Sequence, residues 1–295
     1  MTKMSTPSSA PSLGYYLGCP QWTHQPWMGS IYPKSASINE ALSYYSKAFN
    51  SVEGNTTFYA SPSPDTIQKW ADRTPETFRF LFKFPKLITH DALLEGPALE
   101  EAYRFIDLLK PLEDRCAYLF LQLSPRLTLN HLSQIHHFLI HLPSSHQYVL
   151  EMRDPQACRG KGMDDLHQFL IEHRVERVWM DTRPLRDPQA PSNDAVDSAR
   201  TRKPNLPVYP VGLGPCPVIR YVAHPVVEHN HLWLTQWADV FARWIKQGKT
   251  PFFFAHYPGE TYAPQVARAF HQLLQKKIQI PNLPTWPGEQ QLSLF

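Results

Sequence analysis

The sequence predicts a single (β/α)8 barrel, and three observations lead there. Short apolar runs of strand length alternate along the chain with amphipathic stretches of helical period. Eight such runs can be counted, the number that closes a barrel. Polar or charged residues recur at the C-terminal end of nearly every run, where a barrel gathers its functional loops. A length of 295 residues suits one large barrel. An open doubly wound sheet is the alternative, but the chain has neither the GxGxxG nor the Walker loop that would mark one.

The elements follow in order. Residues 1–13 form a Ser/Pro leader without the apolar core of a secretory signal. The barrel is expected over 14–280. Tyr15–Gly18 is the first strand, Ile38–Phe49 a helix and Ser51–Asn55 the second strand. Ser63, Pro64 and Asp65 open a helix with a cap residue, a proline in the first turn and an acid at the positive end of the dipole. Phe78–Phe84 alternates as a strand, and Leu99–Leu109 is helical. Strand and helix then alternate through Tyr118–Leu123, Asn130–Leu142, Tyr148–Met152, Asp164–His173 and Arg177–Asp181. From 183 to 217 the chain is rich in Pro, Ser, Asp and Arg with almost no apolar pattern, and reads as a long loop insertion. Val218–Val222, Leu232–Lys246, Pro251–His256 and Ala263–Lys277 restore the rhythm, and 281–295 is a Pro-rich tail.

Composition narrows the class. Hydrophobic residues make up 42% of the chain, enough for a sizeable core, and no run has the length and purity of a membrane span. No membrane partner is therefore expected. Cys19, Cys116, Cys158 and Cys216 are far apart and form no CxxC pair, which argues against a zinc site or disulfide framework and for a reducing, cytoplasmic setting. The formal charge of +3 permits an anionic ligand without the dense basic stripe of a dedicated nucleic-acid binder.

The strand ends raise the functional question. In Ser51–Tyr59 (SVEGNTTFY), Glu53 and Asn55 stand two residues apart, on one side of an extended chain. The other runs deliver Cys19 and Trp22, Lys83, Gln122, Glu151 and Arg153, Asp181, Arg220 and His224, and His256. Charges inside apolar runs are costly to bury alone, so they must face one another, water or a ligand. Glu53, Glu151 and Asp181 offset Lys83, Arg153 and Arg220 in number. Any single pair also has a structural reading, as an ion pair that holds the barrel mouth together.

The same residues carry a resemblance. The chain resembles the YecE-like family of bacterial TIM-barrel proteins, a domain of unknown function, over roughly Tyr15 to Lys277. The resemblance is strongest in Gly18, Trp22, Tyr32-Pro33, Val52–Tyr59, Trp70, Thr74-Pro75, Lys83 and Thr89-His90, with Gln122, Glu151-Met152-Arg153, Asp181 and Arg220 further on. The usual opening of that family is glycine-threonine-serine-glycine-tryptophan, where this chain has Gly18-Cys19-Pro20-Gln21-Trp22. A bulky apolar residue is usual where this chain has Gly54. Where paired asparagines often end the last strand, Ala255-His256-Tyr257 stand here. The resemblance implies the barrel and supplies no established reaction.

The leading functional expectation is a hydrolase-like enzyme, of the phosphodiesterase or nuclease kind, acting on a phosphate-bearing ligand or a nucleic acid. Lys83, Arg153 and Arg220 would hold the anion. Glu53, Glu151 and Asp181 would act as the catalytic acids, by general-base work or as oxygen ligands of a divalent metal with His256 as a nitrogen ligand. Asn55, Gln122 and His90 would orient the substrate, and Trp22 and Tyr59 would stack on a base or sugar. Two further readings stand beside it. One is a glycoside hydrolase with paired carboxylates. The other is a non-catalytic adaptor linked to DNA replication or repair. The adaptor reading draws on the chain end, Gln291-Leu292-Ser293-Leu294-Phe295, which is similar to the peptide that bacterial polymerases and repair proteins insert into the replication sliding clamp.

Overall fold

The structure is a computed structural model and describes residues 13–290. Eight parallel strands form one sheet in the order 1-8-7-6-5-4-3-2, a nearly closed barrel. In chain order the elements are β1 (Tyr16–Gly18), α1 (Ala41–Ala48), β2 (Ser51–Gly54), the single turn α2 (Thr56–Tyr59) and α3 (Pro64–Asp72). Then come β3 (Arg79–Lys83), α4 (Ala98–Leu108), β4 (Cys116–Gln122), α5 (Leu132–Ile140), β5 (Tyr148–Glu151), α6 (Gly160–Glu172) and β6 (Glu176–Asp181). The remainder is α7 (Asp194–Arg202), β7 (Val218–Val222), α8 (His231–Lys246), β8 (Phe252–His256), α9 (Ala263–Gln275) and the short α10 (Pro287–Gln290). The expected barrel is therefore present. Its strands read as continuous apolar runs because both faces are covered.

Two cores result. Between strands and outer helices lies the larger one, with aromatic contacts such as the parallel Phe253–Phe270 stack at 3.8 Å. The barrel lumen is filled by Leu81, Tyr118, Phe120, Val149, Val178, Val218, Phe252 and Phe254. This apolar plug ends one residue layer below the mouth, so the next inward-facing layer must be met by solvent, ligand or polar neighbours.

Closure between β1 and β2 relies on side chains. Besides a bond from Glu53 N–H to Cys19 C=O at 3.1 Å, the seam is bridged by Asn50. Its Oδ1 accepts from Leu17 N–H at 2.7 Å and its Nδ2 donates to Tyr15 C=O at 2.9 Å. The Tyr45 hydroxyl accepts from Cys19 N–H and donates to Ser51 C=O. A Cβ on Gly18 would come within 2.1 Å of that Ser51 oxygen, so only glycine admits this approach.

The segment 183–217 departs from the loop expected there. It carries α7, capped by Asn193 Oδ1 on Val196 N–H, with Val196 and Ala199 packed against Met180, Leu185 and Val222. Those two small apolar residues are too few to give a visible periodicity in a polar stretch. The helix lies over the barrel mouth. The chain then returns beside β6, where Glu176 accepts backbone N–H groups of Leu213 and Gly214. In the Pro-rich tail, Trp286 is 2% exposed and the Arg268 guanidinium stacks on its ring while pairing with Glu289. The expected docking residues Gln291, Leu292, Ser293, Leu294 and Phe295 lie outside the described residues.

Candidate functional site

At the C-terminal ends of the strands opens a cavity of about 580 Å³. The first layer above the apolar plug forms its floor. β2 contributes Glu53, β3 Lys83, β4 Gln122, β5 Glu151, β7 Arg220 and β8 His256, and all six are buried. Neighbouring strands in register place these residues side by side: Gln122 pairs with Glu151, and Met180 with Arg220.

Arg220 organises the floor. Its Nε and Nη2 donate to Glu53 Oε2 and Oε1 at 2.9 and 2.7 Å, a two-pronged contact, and its Nη1 donates to Glu151 Oε2 at 2.6 Å. Glu151 also accepts from Arg153 Nε at 2.7 Å. Burial alone would raise the Glu53 pKa, but Arg220, His256 and Lys83 together hold it well below the usual carboxylate range. For Glu151, burial is again outweighed, by Arg153 and Arg220, and its pKa falls to about 2. Both acids are therefore ionised at neutral pH and already engaged by guanidinium groups.

Lys83 is placed differently. Its Nζ donates to Gln122 Oε1 at 2.9 Å and stands 3.4 Å from Glu53 Oε1, farther than Arg220 stands from the same carboxylate. Burial first, then the charge of Arg220, brings its pKa down to about 7, against the pull of Glu53 and Glu151. His256 Nε2 lies 3.1 Å from Glu53 Oε2, and its Nδ1 lies 3.4 Å from Lys203 Nζ. The His256 ring thus bridges Lys203 and Glu53, one ring nitrogen toward each.

The cavity wall is cationic. Lys83, Lys86, Arg153, Arg202, Lys203 and Arg220 line it, against Glu260 as the one lining carboxylate among the described residues. Asn55, Tyr59 and His90 also line it, as expected, with Tyr59 exposed on the rim. Burial and the nearby Arg153 and Lys86 bring the His90 pKa down to about 4, so its ring is neutral at pH 7. Asn55 gives Nδ2–H to Pro20 C=O, while its buried Oδ1 has no partner among the described residues. His24 Nε2, on another lining residue, is likewise buried without one.

Three expectations need correction. Asp181 is on β6 but faces away from the cavity, where Arg183 Nε and Nη2 and Trp237 Nε1 occupy its carboxylate. The side chain that β6 turns to the cavity is Met180. Trp22 is 8% exposed and packs edge-on against Trp70 and Phe80, so it belongs to the core and offers no stacking surface. The divalent-metal set also fails on its donors. Asp181 is turned away, Glu53 and Glu151 are taken by Arg220, and no group of three or more His, Cys, Asp or Glu among the described residues could hold an ion. His224 is also displaced from the site, buried against Asn230 and Val226.

Sequence reading missed Lys203, Arg202 and Glu260. The first two sit at the end of α7 and just beyond it, in the stretch without periodicity. Glu260 follows Gly259, both with positive φ (61° and 75°), in a tight turn after β8 that accepts Tyr257 N–H on Glu260 Oε2. The Tyr-Pro-Gly-Glu run was a legible turn signal for it.

Comparison with known proteins gives a consistent picture. The family described as "Protein of unknown function DUF72" matches residues 16–291. The YecE protein of Escherichia coli K12 is 34% identical over 282 residues, 95% of this chain and 99% of its own length. YunF of Bacillus subtilis is 37% identical over 68 residues, 23% of each chain. Among solved structures, a DUF72 family protein of Enterococcus faecalis V583 aligns with a TM-score of 0.68 at 16% identity, covering 92% of this chain and 98% of its own. One of Thermotoga maritima MSB8 aligns with a TM-score of 0.65 at 20% identity, covering 89% and 98%. These structural likenesses concern the fold.

Proposed function

The chain belongs to the DUF72 family, and from that premise we propose that its barrel mouth binds a small phosphate-bearing ligand and moves protons on it through Lys83. The observation that carries the reading is the imbalance of the wall: among the described residues, six cations and one carboxylate line the cavity. Glu53 and Glu151, both held by Arg220 at the floor, reduce this excess without reversing it, since three carboxylates then stand against the six cations. Arg153 and Lys203 are the natural anion holders, and the unpartnered Asn55 Oδ1 is an acceptor left for a ligand hydroxyl.

A hydrolytic reaction would need a base for water. The two glutamates are poor bases, Glu151 with a pKa of about 2 and Glu53 held well below the usual carboxylate range by Arg220, His256 and Lys83, whereas an amine near 7 exchanges its proton at physiological pH. Lys83 thus takes the role first expected of Glu53. The same geometry weighs against glycoside hydrolysis, which asks one of two carboxylic acids to keep a proton. A small ligand fits a cavity of about 580 Å³, with Ala199 and Arg202 of α7 on its wall, better than a polynucleotide does.

Titration calorimetry with inorganic phosphate and a panel of phosphomonoesters tests this. Binding that weakens with salt, and weakens further in Arg153→Ala, supports it. If no phosphate compound binds, the reading is overturned. Binding without turnover of any panel member leaves the adaptor reading, in which the end Gln291–Phe295 recruits a sliding clamp.

A further inference from the structure

We propose that Lys83 is a nucleophile: its Nζ condenses with the carbonyl carbon of an aldehyde or ketone that also carries a phosphate, forming a protonated imine. The inference deepens the anion-binding reading above and rests on it for the phosphate.

The placement of the amine is the argument. Lys83 is 6% exposed yet lines the cavity, with Phe58 and Phe120 rings 5.8 and 5.3 Å from Nζ. A lysine whose only task was to neutralise Glu53 would sit in closest contact with it. Here Arg220 holds both Glu53 oxygens at 2.7 and 2.9 Å, and Lys83 stands back at 3.4 Å. Its one hydrogen bond goes to a neutral amide, Gln122. The lowered pKa of about 7 follows from that burial and from Arg220. At neutral pH it gives on the order of a thousand-fold more free amine than an ordinary lysine has.

The other cations of the wall are unsuited to attack. Guanidinium groups are not nucleophiles at this pH. Lys86 pairs with Asp91 at 2.8 Å on the open rim, and Lys203 faces the His256 ring. They remain available for a phosphate group.

The step balances without an added reagent. The neutral amine forms a C–N bond as the carbonyl π bond breaks and its oxygen takes a proton, giving a carbinolamine. That first proton comes from the nitrogen; a second, from solvent, lets the hydroxyl leave as water while the nitrogen lone pair forms the C=N bond of the iminium. Counted from the ammonium, R–NH3+ and a carbonyl become R–NH+=C and one water. The product keeps one positive charge where the ammonium had one, so Glu53 and Glu151 face an unchanged balance.

The test traps the imine. Full-length protein is incubated with dihydroxyacetone phosphate and sodium cyanoborohydride, digested, and mapped by mass spectrometry. The reduced adduct is expected on Lys83 about ten-fold or more above any other lysine, lower when inorganic phosphate competes, and lost in Lys83→Arg. Adduct spread over surface lysines, with Lys83 no more labelled than they are, overturns the proposal, and the wild-type map alone decides this if the variant does not fold. Phosphate binding by calorimetry without labelling at Lys83 overturns the covalent step and leaves the anion site standing. Equal labelling by dihydroxyacetone, unaffected by phosphate, supports the nucleophile and overturns the phosphate reading.

Discussion

Arg220 and Glu53, 167 residues apart in the chain, meet through two parallel hydrogen bonds at 2.9 and 2.7 Å in the cavity floor. Both are buried, at 3% and 0% exposure. The pair therefore ties β7 to β2 across the lumen and sets the charge against which every other mouth residue is placed. Removing one partner strands the other's charge in a low-dielectric interior. Glu53→Gln and Arg220→Met are each expected to lower unfolding free energy by about 3–5 kcal/mol. Denaturant unfolding measures this, and a loss below about 1 kcal/mol would show that water reaches the pair freely.

Acid and alkaline stability separate the two glutamates from Lys83. Glu151 titrates near 2 in the folded chain and about 4.3 unfolded, and Glu53 shifts in the same direction. Their contribution is complete above pH of about 4.3 and is lost as pH falls toward 2. Lys83 has a folded pKa of about 7 and an unfolded value of about 10.4, so between them the unfolded chain holds more protons. Its contribution therefore rises with pH across that window. Relative to Lys83→Met, the wild-type chain should gain stability between pH 7 and pH of about 9.5. A constant difference between the two proteins across that range contradicts the placement of Lys83. The comparison cancels thiols and tyrosines, which titrate alike in both.

Gly54 is kept small by the ring beside it. A Cβ there would lie 2.6 Å from the Phe82 ring, which stacks with Phe80 and Trp70 on the outer face of β3. The small residue and the large ring fill one space between them. Gly54→Leu alone is expected to destabilise by about 1–3 kcal/mol, and Gly54→Leu with Phe82→Ala to recover most of that. Thermal unfolding of the two variants decides it, and an additive loss in the double variant would break the pairing argument.

What the sequence made legible follows from burial. Strands covered on both faces must be apolar, so a polar residue at a strand end, such as Glu53, Lys83, Glu151 or Arg220, stood out against its run. Which way each end faced was less legible. Asp181 and Met180 are adjacent, and the alternation of β6 could be fixed only by knowing that Trp237 waits outside to bond the acid. Trp22 looked like a rim aromatic because its partners Trp70 and Phe80 are remote in sequence. Lys203 was hidden because α7 buries only Val196 and Ala199, too little to write a helical period.

The tail is fixed to the barrel before its last five residues. Trp286, stacked by Arg268, and the Arg268–Glu289 pair anchor the tail before Gln291. Trp286→Ala should cost about 3 kcal/mol, read by denaturant unfolding. If the tail is a clamp-docking peptide, surface plasmon resonance against a purified bacterial sliding clamp loses its signal in a chain truncated before Gln291. Equal binding by both chains, or by neither, removes that function from the tail.

Lys203 offers the sharpest separation of anion binding from scaffold. It reaches the cavity from just beyond α7 and meets the Arg220–Glu53–Glu151 network that holds the strands together only through the His256 ring, with no hydrogen bond of its own to those three residues. Burial lowers its pKa, a shift that Glu260 opposes, so a bound anion would draw it back toward the charged form. Lys203→Ala should therefore weaken phosphate binding about ten-fold, as loss of one charge-assisted hydrogen bond does, and leave the unfolding midpoint within experimental scatter. Phosphate binding should also release fewer counter-charges to salt in the variant, flattening the dependence of affinity on ionic strength. Calorimetry at two salt concentrations reads both effects. Unchanged affinity would move the anion away from α7 and onto the Lys86 and Arg153 side of the mouth.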